Sequence, residues 1–226
     1  MRSFWGFYDN GTYRVGCNGA TIYVYDQNNR ELAKFRDVSY AYVGAFQPGS
    51  NRFAAKTAEG SLAVYDLDKM ALIKKIRVAR VDGQDEGFAY SPDGKFFLNI
   101  ENRKNSLDTQ ITVYRTSDFE VVRELFRDEE NLFLQELEMD TDSGECYVFG
   151  FLRDEHKVMQ HGFVGKFTGE EITEIKKLDR ETYWYTRAYK SWERTGFTSR
   201  ALIWSVLKDR GERPAVSLKR LHREDT

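Results

Sequence analysis

Four glycine turns, each set between short apolar segments rich in aromatics, confine most of this chain to antiparallel hairpins in series. They lie in residues 4–13, 43–53, 87–96 and 137–147, with Gly11, Gly49, Gly94 and Gly144 at the tips. Asn10-Gly11 and Asp93-Gly94 supply the positive φ that tight hairpin turns demand. Pro48 and Pro92 precede two of the glycines, where a φ fixed at about −65° suits a turn corner.

A second pattern follows each hairpin. Ile22-Tyr23-Val24-Tyr25-Asp26, Leu62-Ala63-Val64-Tyr65-Asp66 and Ile111-Thr112-Val113-Tyr114-Arg115 share a Val-Tyr pair among β-branched or aromatic neighbours. Phe163-Val164-Gly165-Lys166-Phe167 is a looser fourth copy. After each comes a polar turn and one more strand, at residues 32–35, 72–76, 121–125 and 172–178. Each unit therefore reads strand, glycine turn, strand, loop, strand, turn, strand. The turn glycines are 38, 45 and 50 residues apart, so the loops lengthen while the strands persist. Four-stranded units of roughly 40–50 residues are the size of a propeller blade, and no such sheet covers both its faces alone. Period-two alternation runs through the strands, and no long amphipathic helical stripe competes with it.

The last segment offers strands at residues 183–189, 201–207 and 214–221, and the chain ends at Thr226 without room for a fourth. The expected architecture is a single all-β domain: a β-propeller of about five blades of four antiparallel strands, the last incomplete. The units fall at approximately residues 3–37, 38–80, 81–127, 128–179 and 180–226.

The turn Ser91-Pro92-Asp93-Gly94-Lys95-Phe96 and the Val-Tyr-Asp strands at Val24 to Asp26 and Val64 to Asp66 resemble the WD-repeat and YVTN-type β-propellers. Tyr25-Asp26 and Tyr65-Asp66 look like a Tyr variant of the Trp-Asp signature. The resemblance implies a scaffold that binds proteins or peptides, generally without catalysis; fold alone does not fix function.

Composition narrows the partners. The 226 residues carry 34 Lys+Arg against 36 Asp+Glu, a net charge of −2. No cationic field exists to hold phosphate backbones, so a nucleic-acid partner is not expected. The richest apolar run, residues 201–207, is far shorter than the roughly 20 residues of a membrane-spanning helix, and the N-terminus lacks a signal-peptide core. Cys17 and Cys146 each sit in an apolar stretch and read as buried, reduced thiols. The chain reads as soluble and cytoplasmic, without a membrane partner.

Catalytic signatures are sparse. No nucleophile elbow or glycine-rich phosphate loop occurs, and no cofactor is expected. His156 and His161, beside Asp154 and Glu155, read as a solvated loop rather than a zinc site. Abundant carboxylates leave one alternative to a non-catalytic binder: a propeller-fold carbohydrate-active hydrolase using two loop carboxylates. The binding candidates are positional. In a propeller, connectors between blades share one face with the loops joining strands two and three. That face would carry Arg36 and Tyr40, Asp82 and Asp85, Arg127 and Asp128, and Arg180, Tyr183 and Trp184. Arg and aromatic residues dominate protein-binding hot spots. The triplet Phe-Arg-Asp occurs in equivalent blade positions, at Phe35 to Asp37 and again at Phe126 to Asp128, and reads as a core plug followed by an ion pair between blades. Six Lys/Arg between Lys208 and Arg223 read as a charged, solvated last hairpin. An unpaired edge of the last blade would invite a partner strand, or a second copy to form a homodimer.

Overall fold

The computed structural model describes residues 4–78, 87–103, 106, 108–139 and 144–180. Every element in it is a strand, and the strands form four separate four-stranded antiparallel sheets in chain order. The first sheet holds β1 (Gly6–Asp9), β2 (Arg14–Cys17), β3 (Ile22–Tyr25) and β4 (Glu31–Phe35). The second holds β5 (Ala41–Phe46), β6 (Arg52–Thr57), β7 (Ser61–Asp66) and β8 (Ala71–Arg77). The third holds β9 (Phe88–Tyr90), β10 (Phe96–Asn102), β11 (Thr109–Arg115) and β12 (Val121–Leu125). The fourth holds β13 (Leu132–Met139), β14 (Cys146–Arg153), β15 (Met159–Phe167) and β16 (Ile172–Leu178). These match the four strand–turn–strand units read from the sequence. All four tip glycines adopt positive φ, at 83°, 70°, 68° and 70° for Gly11, Gly49, Gly94 and Gly144. The fifth unit and its unpaired edge, with the basic stretch from Lys208 to Arg223, lie outside the described residues.

Each sheet is covered by its neighbour. Val15, Cys17, Ile22 and Val24 of the first sheet pack on Ala41, Phe53, Ala55, Ala63 and Tyr65 of the second. Val43, Ala54, Leu62 and Val64, on the second sheet's other face, meet Phe88, Tyr90, Phe97 and Tyr114 of the third. Leu98, Ile100, Ile111 and Val113 then meet Leu134, Leu137, Val148 and Phe163 of the fourth. Being covered on both sides buries the central strands whichever face a residue points to: all six residues of β7 are buried. The first strands β1, β5, β9 and β13 lie side by side in succession. At Gly44 a Cβ would sit 2.1 Å from the Phe53 ring, and the bare backbone N–H there donates to Tyr8 Oη at 2.8 Å. Cys17 and Cys146 are both buried.

Two features repeat around the stack. Successive hairpin tips touch: Asn10 Nδ2 donates to Asn51 Oδ1 at 3.0 Å, and Gln47 Nε2 donates to the Gly94 carbonyl at 2.8 Å. Pro92 in turn approaches Gly144, where a Cβ would lie 3.9 Å away. Register also slips once along the outer strand of every sheet, which leaves Leu32, Ile73 and Val122 as extra residues in the first three. Those three side chains are 38%, 39% and 39% exposed. A bulge twists an edge away from flat pairing, so these exposed apolar residues sit on a blunted edge. On the face of the first sheet away from the second, Phe4 lies 5.6 Å from Phe7 and 6.0 Å from Tyr23, which stacks on Tyr25. Among the described residues, no helix is long and apolar enough to cross a membrane.

Candidate functional site

Loops between second and third strands meet the connectors between sheets on one face. The pairing Gly19↔Ala41 joins a loop of the first sheet to the first residue of β5, where the connector enters the second. Ala58 N donates to the Tyr40 carbonyl at 3.1 Å, and Arg153 N to the Asn131 carbonyl at 2.9 Å. Arg103 reaches from the β10–β11 loop to the carbonyls of Arg127 and Glu129 in the next connector.

On this face the third and fourth sheets enclose an open polar cleft of about 630 Å³. The β10 end and β10–β11 loop contribute Glu101, Asn102, Arg103, Ser106 and Asp108; β11 contributes Gln110. The β12 end and its connector add Glu124, Arg127, Asp128 and Glu130, and Lys157 comes from the β14–β15 loop.

Asp108 ties these segments together. Its side chain is only 4% exposed and accepts from Arg103 Nη2 at 3.0 Å and Lys157 Nζ at 3.1 Å, with Arg153 at 3.8 Å. Arg153 is fixed in turn over the rings of Phe133 and Phe151, which are stacked at 4.7 Å. Burial alone would raise the Asp108 carboxyl, but hydrogen bonds from Lys157 and Ser106 and the Lys157 charge hold it below its ordinary value. Such a carboxylate is ionised and already bonded to cations.

Glu101 is placed differently. It belongs to a buried polar ladder on the face of the third sheet that meets the second. Tyr114 Oη donates to it at 2.6 Å, Asn99 Nδ2 at 2.9 Å and Thr112 Oγ1 at 2.9 Å. Desolvation outweighs those hydrogen bonds and the Lys56 charge, and pushes its carboxyl up. Lys56, fully buried on β6, crosses from the second sheet and donates to the Ile100 carbonyl at 2.9 Å. Among the described residues, Asn99 Oδ1, Asn102 Oδ1 and Arg103 Nε are shielded atoms without a hydrogen-bond partner.

Of the residues expected on this face, Arg127 and Asp128 line the cleft, Arg36 and Tyr40 are exposed at the connector between the first two sheets, and Arg180 is exposed beyond β16. Asp82, Asp85, Tyr183 and Trp184 lie outside the described residues. Tyr40 holds a φ of 54° with its side chain 59% exposed, a strained backbone that presents an aromatic ring to solvent. The Phe-Arg-Asp expectation needs correction. Phe35 does plug the interface, stacked on Tyr65 at 4.5 Å, and Phe126 lies 6.4 Å from Phe167. The triplets are nonetheless not equivalent, since Phe35 pairs with Ile22 whereas Leu125, not Phe126, pairs with Ile111. Nor do Arg and Asp pair between sheets: Arg127 bonds Glu124 at 2.9 Å on its own strand end. His156 is exposed, and among the described residues no His, Cys, Asp and Glu group could hold a metal.

Sequence reasoning passed over Glu101, Arg103, Asp108 and Lys157. The signal was the alternation Gln110-Ile111-Thr112-Val113-Tyr114, whose polar face would be solvated in a single sheet. In a stack both faces are covered, so that stripe became a buried ladder opening on the cleft.

No protein-family model matches the chain, and no curated protein does either. Among solved structures it is similar to hydrazine synthase of Kuenenia stuttgartiensis, with a TM-score of 0.57 at 15% identity. The match covers 76% of this chain and 52% of that one, so this chain spans about half of its neighbour's length. That neighbour contains a β-propeller. At this identity the likeness is one of fold: all-β and propeller-like.

Proposed function

We propose that the chain is a non-catalytic, WD-like β-propeller scaffold that binds a protein or peptide segment through its loop face. The carrying observation is the cleft of about 630 Å³, in which the best-placed carboxylate, Asp108, is already locked to three cations while the rim stays open. A hydrolase using two loop carboxylates would have to use Asp128 and Glu130, which are exposed to solvent at the cleft's rim. On the same face, at the connector between the first two sheets, the strained, exposed Tyr40 adds an aromatic contact of the type that anchors interfaces. For the architecture we propose a fifth unit, residues 180–226. The aromatic face of Phe4, Phe7, Tyr23 and Tyr25 on the first sheet supports this, as a surface for that unit to cover.

The test is in-cell proximity cross-linking with three chains: wild type, Tyr40→Ala/Arg127→Ala, and Val121→Lys/Val122→Lys on the outer edge. The reading expects one specific partner, lost with the first variant and kept with the second. Equal retention by both variants overturns it.

A further inference from the structure

Counter-ions are spread unevenly over the outer strands. On β4, Lys34 pairs with Glu31 at 3.3 Å, and on β12, Arg123 pairs with Glu170 at 2.9 Å. β8 contains no acid, and its exposed Lys74, Lys75 and Arg77 join no ion pair among the described residues. Lys75 Nζ donates to the Asp37 carbonyl at 2.8 Å, which brings the exposed Arg36 of the preceding connector alongside. Within residues 36–39 and 71–77, four cations thus stand against the single carboxylate of Asp37. The nearby Glu59 is occupied, accepting from Ser39 Oγ. The cations point both ways. Lys74 Nζ lies 6.0 Å from the centre of the Phe119 ring, toward the third sheet, whereas Lys75 and Arg77, two apart on one strand, face the first.

The same strand offers main-chain groups, because it is an edge of its sheet. The slip at Ile73 blunts its start, but pairing then runs unbroken from Lys74 to Val78. Val78 N donates to the Gly60 carbonyl at 2.8 Å, and this fixes the phase of the ladder. Hydrogen-bonded pairs alternate along antiparallel strands, so Lys74 and Ile76 bond β7 while Lys75 and Arg77 turn their N–H and C=O groups outward.

We infer that β8 receives an acidic, extended peptide as an added strand of the second sheet. Main-chain bonds to Lys75 and Arg77 hold it, and alternate carboxylates meet Lys75 and Arg77 on one side and Lys74 on the other. Charge selects this occupant. A second copy pairing β8 against β8 would set these cations against one another, which is destabilising. A flat lipid surface meets one side of an edge, whereas an added strand places side chains on both. This edge belongs to the second sheet and the cleft lies between the third and fourth, so the two surfaces are separate.

The probes are fluorescein-labelled octapeptides of Thr alternating with Glu, Gln or Lys, titrated by anisotropy at low and at near-physiological salt. The Glu peptide is expected to bind best and to weaken with salt. Lys74→Gln/Arg77→Gln lowers its affinity roughly fivefold, both positions being exposed. A charge-matched control on the third sheet, the exposed pair Lys95→Gln/Arg115→Gln, leaves its affinity unchanged. Bound peptide slows amide hydrogen exchange, read by NMR, at Lys75 and Arg77 but not at Lys74 and Ile76, whose amides already bond β7. Equal loss in the control, no loss in the edge variant, or unslowed exchange at Lys75 and Arg77 overturns the added strand. So does tighter binding of the Gln or Lys peptide, or failure of all three to bind. Co-sedimentation with phosphatidylserine vesicles that the edge variant abolishes, or a dimer that it dissolves, gives the edge to a lipid surface or a second copy and overturns the peptide.

Discussion

Gly94 and Gly11 share a backbone conformation but not a neighbourhood, and that difference is measurable. Both have positive φ, where a Cβ is strained by roughly 1–2 kcal/mol. At Gly94 a Cβ would also lie 2.8 Å from the Pro48 carbonyl oxygen of the preceding tip, whereas at Gly11 nothing comes within 4 Å. Gly94→Ala is therefore expected to lower stability by about 1 kcal/mol more than Gly11→Ala, read as the difference in urea midpoints. Equal losses would mean that the tips do not press on one another. Cys17 gives a second residue-level outcome. Burial pushes its thiol up to about 12 from an ordinary 9.0. It should resist maleimide at mildly alkaline pH while the chain is folded and react once urea unfolds it.

At the scale of elements, the Asp108 cluster joins the β10–β11 loop of the third sheet to the β14–β15 loop of the fourth. Asp108→Asn leaves three cations facing a neutral amide in a largely buried place, a loss of about 3 kcal/mol. Hydrogen exchange should rise first in β10, β11 and β14, while the first sheet stays protected. Uniform loss of protection across all sheets would refute that local coupling. This cluster also marks how far the sequence could be read. The sixteen strands were legible because glycine tips and Val-Tyr strands report local geometry, and local geometry is what sequence order records. Ion pairing was not legible, because Asp108 and Lys157 are 49 positions apart and meet only when two loops converge. The polar stripe of β11 went unread for a related reason: alternation tells which residues share a face, not which partners a covering sheet will bring to it. The Phe-Arg-Asp triplets show the limit at its finest: both outer strands carry the same slip, yet the second triplet begins one position later, after Leu125, and so is out of register with the first.

For the molecule as a whole, buried titratable groups set the pH range of stability. Asp108 has its carboxyl lowered below 3.8. Its contribution is present above that ordinary value and is lost as pH falls through the lower folded one. Glu101 has the opposite sign: its carboxyl is raised above 4.5, so stability declines as pH rises from there through the folded value. Cys17, raised likewise, contributes fully below about 9 and loses that contribution as pH climbs toward 12. Urea midpoints across pH should thus peak in mild acid, drop steeply below about pH 4 and decline again above about pH 9. Glu101→Gln should flatten the fall between mild acid and neutrality; an unchanged profile would remove Glu101 from the account.

The touching hairpin tips also decide where this chain tolerates extra length. Asn10 against Asn51, Gln47 against Gly94, and Pro92 against Gly144 form a continuous seam along one rim. A reporter domain spliced after Gly49 or Gly94 would pry two sheets apart, whereas one spliced between Glu155 and His156, at an exposed turn on the opposite rim, has open solvent to grow into. Paired insertions at those sites, compared by soluble yield and thermal midpoint, would show how they differ: the tips bear on one another along a seam, whereas the exposed Glu155–His156 turn stands clear of the contacts Lys157 makes beside it.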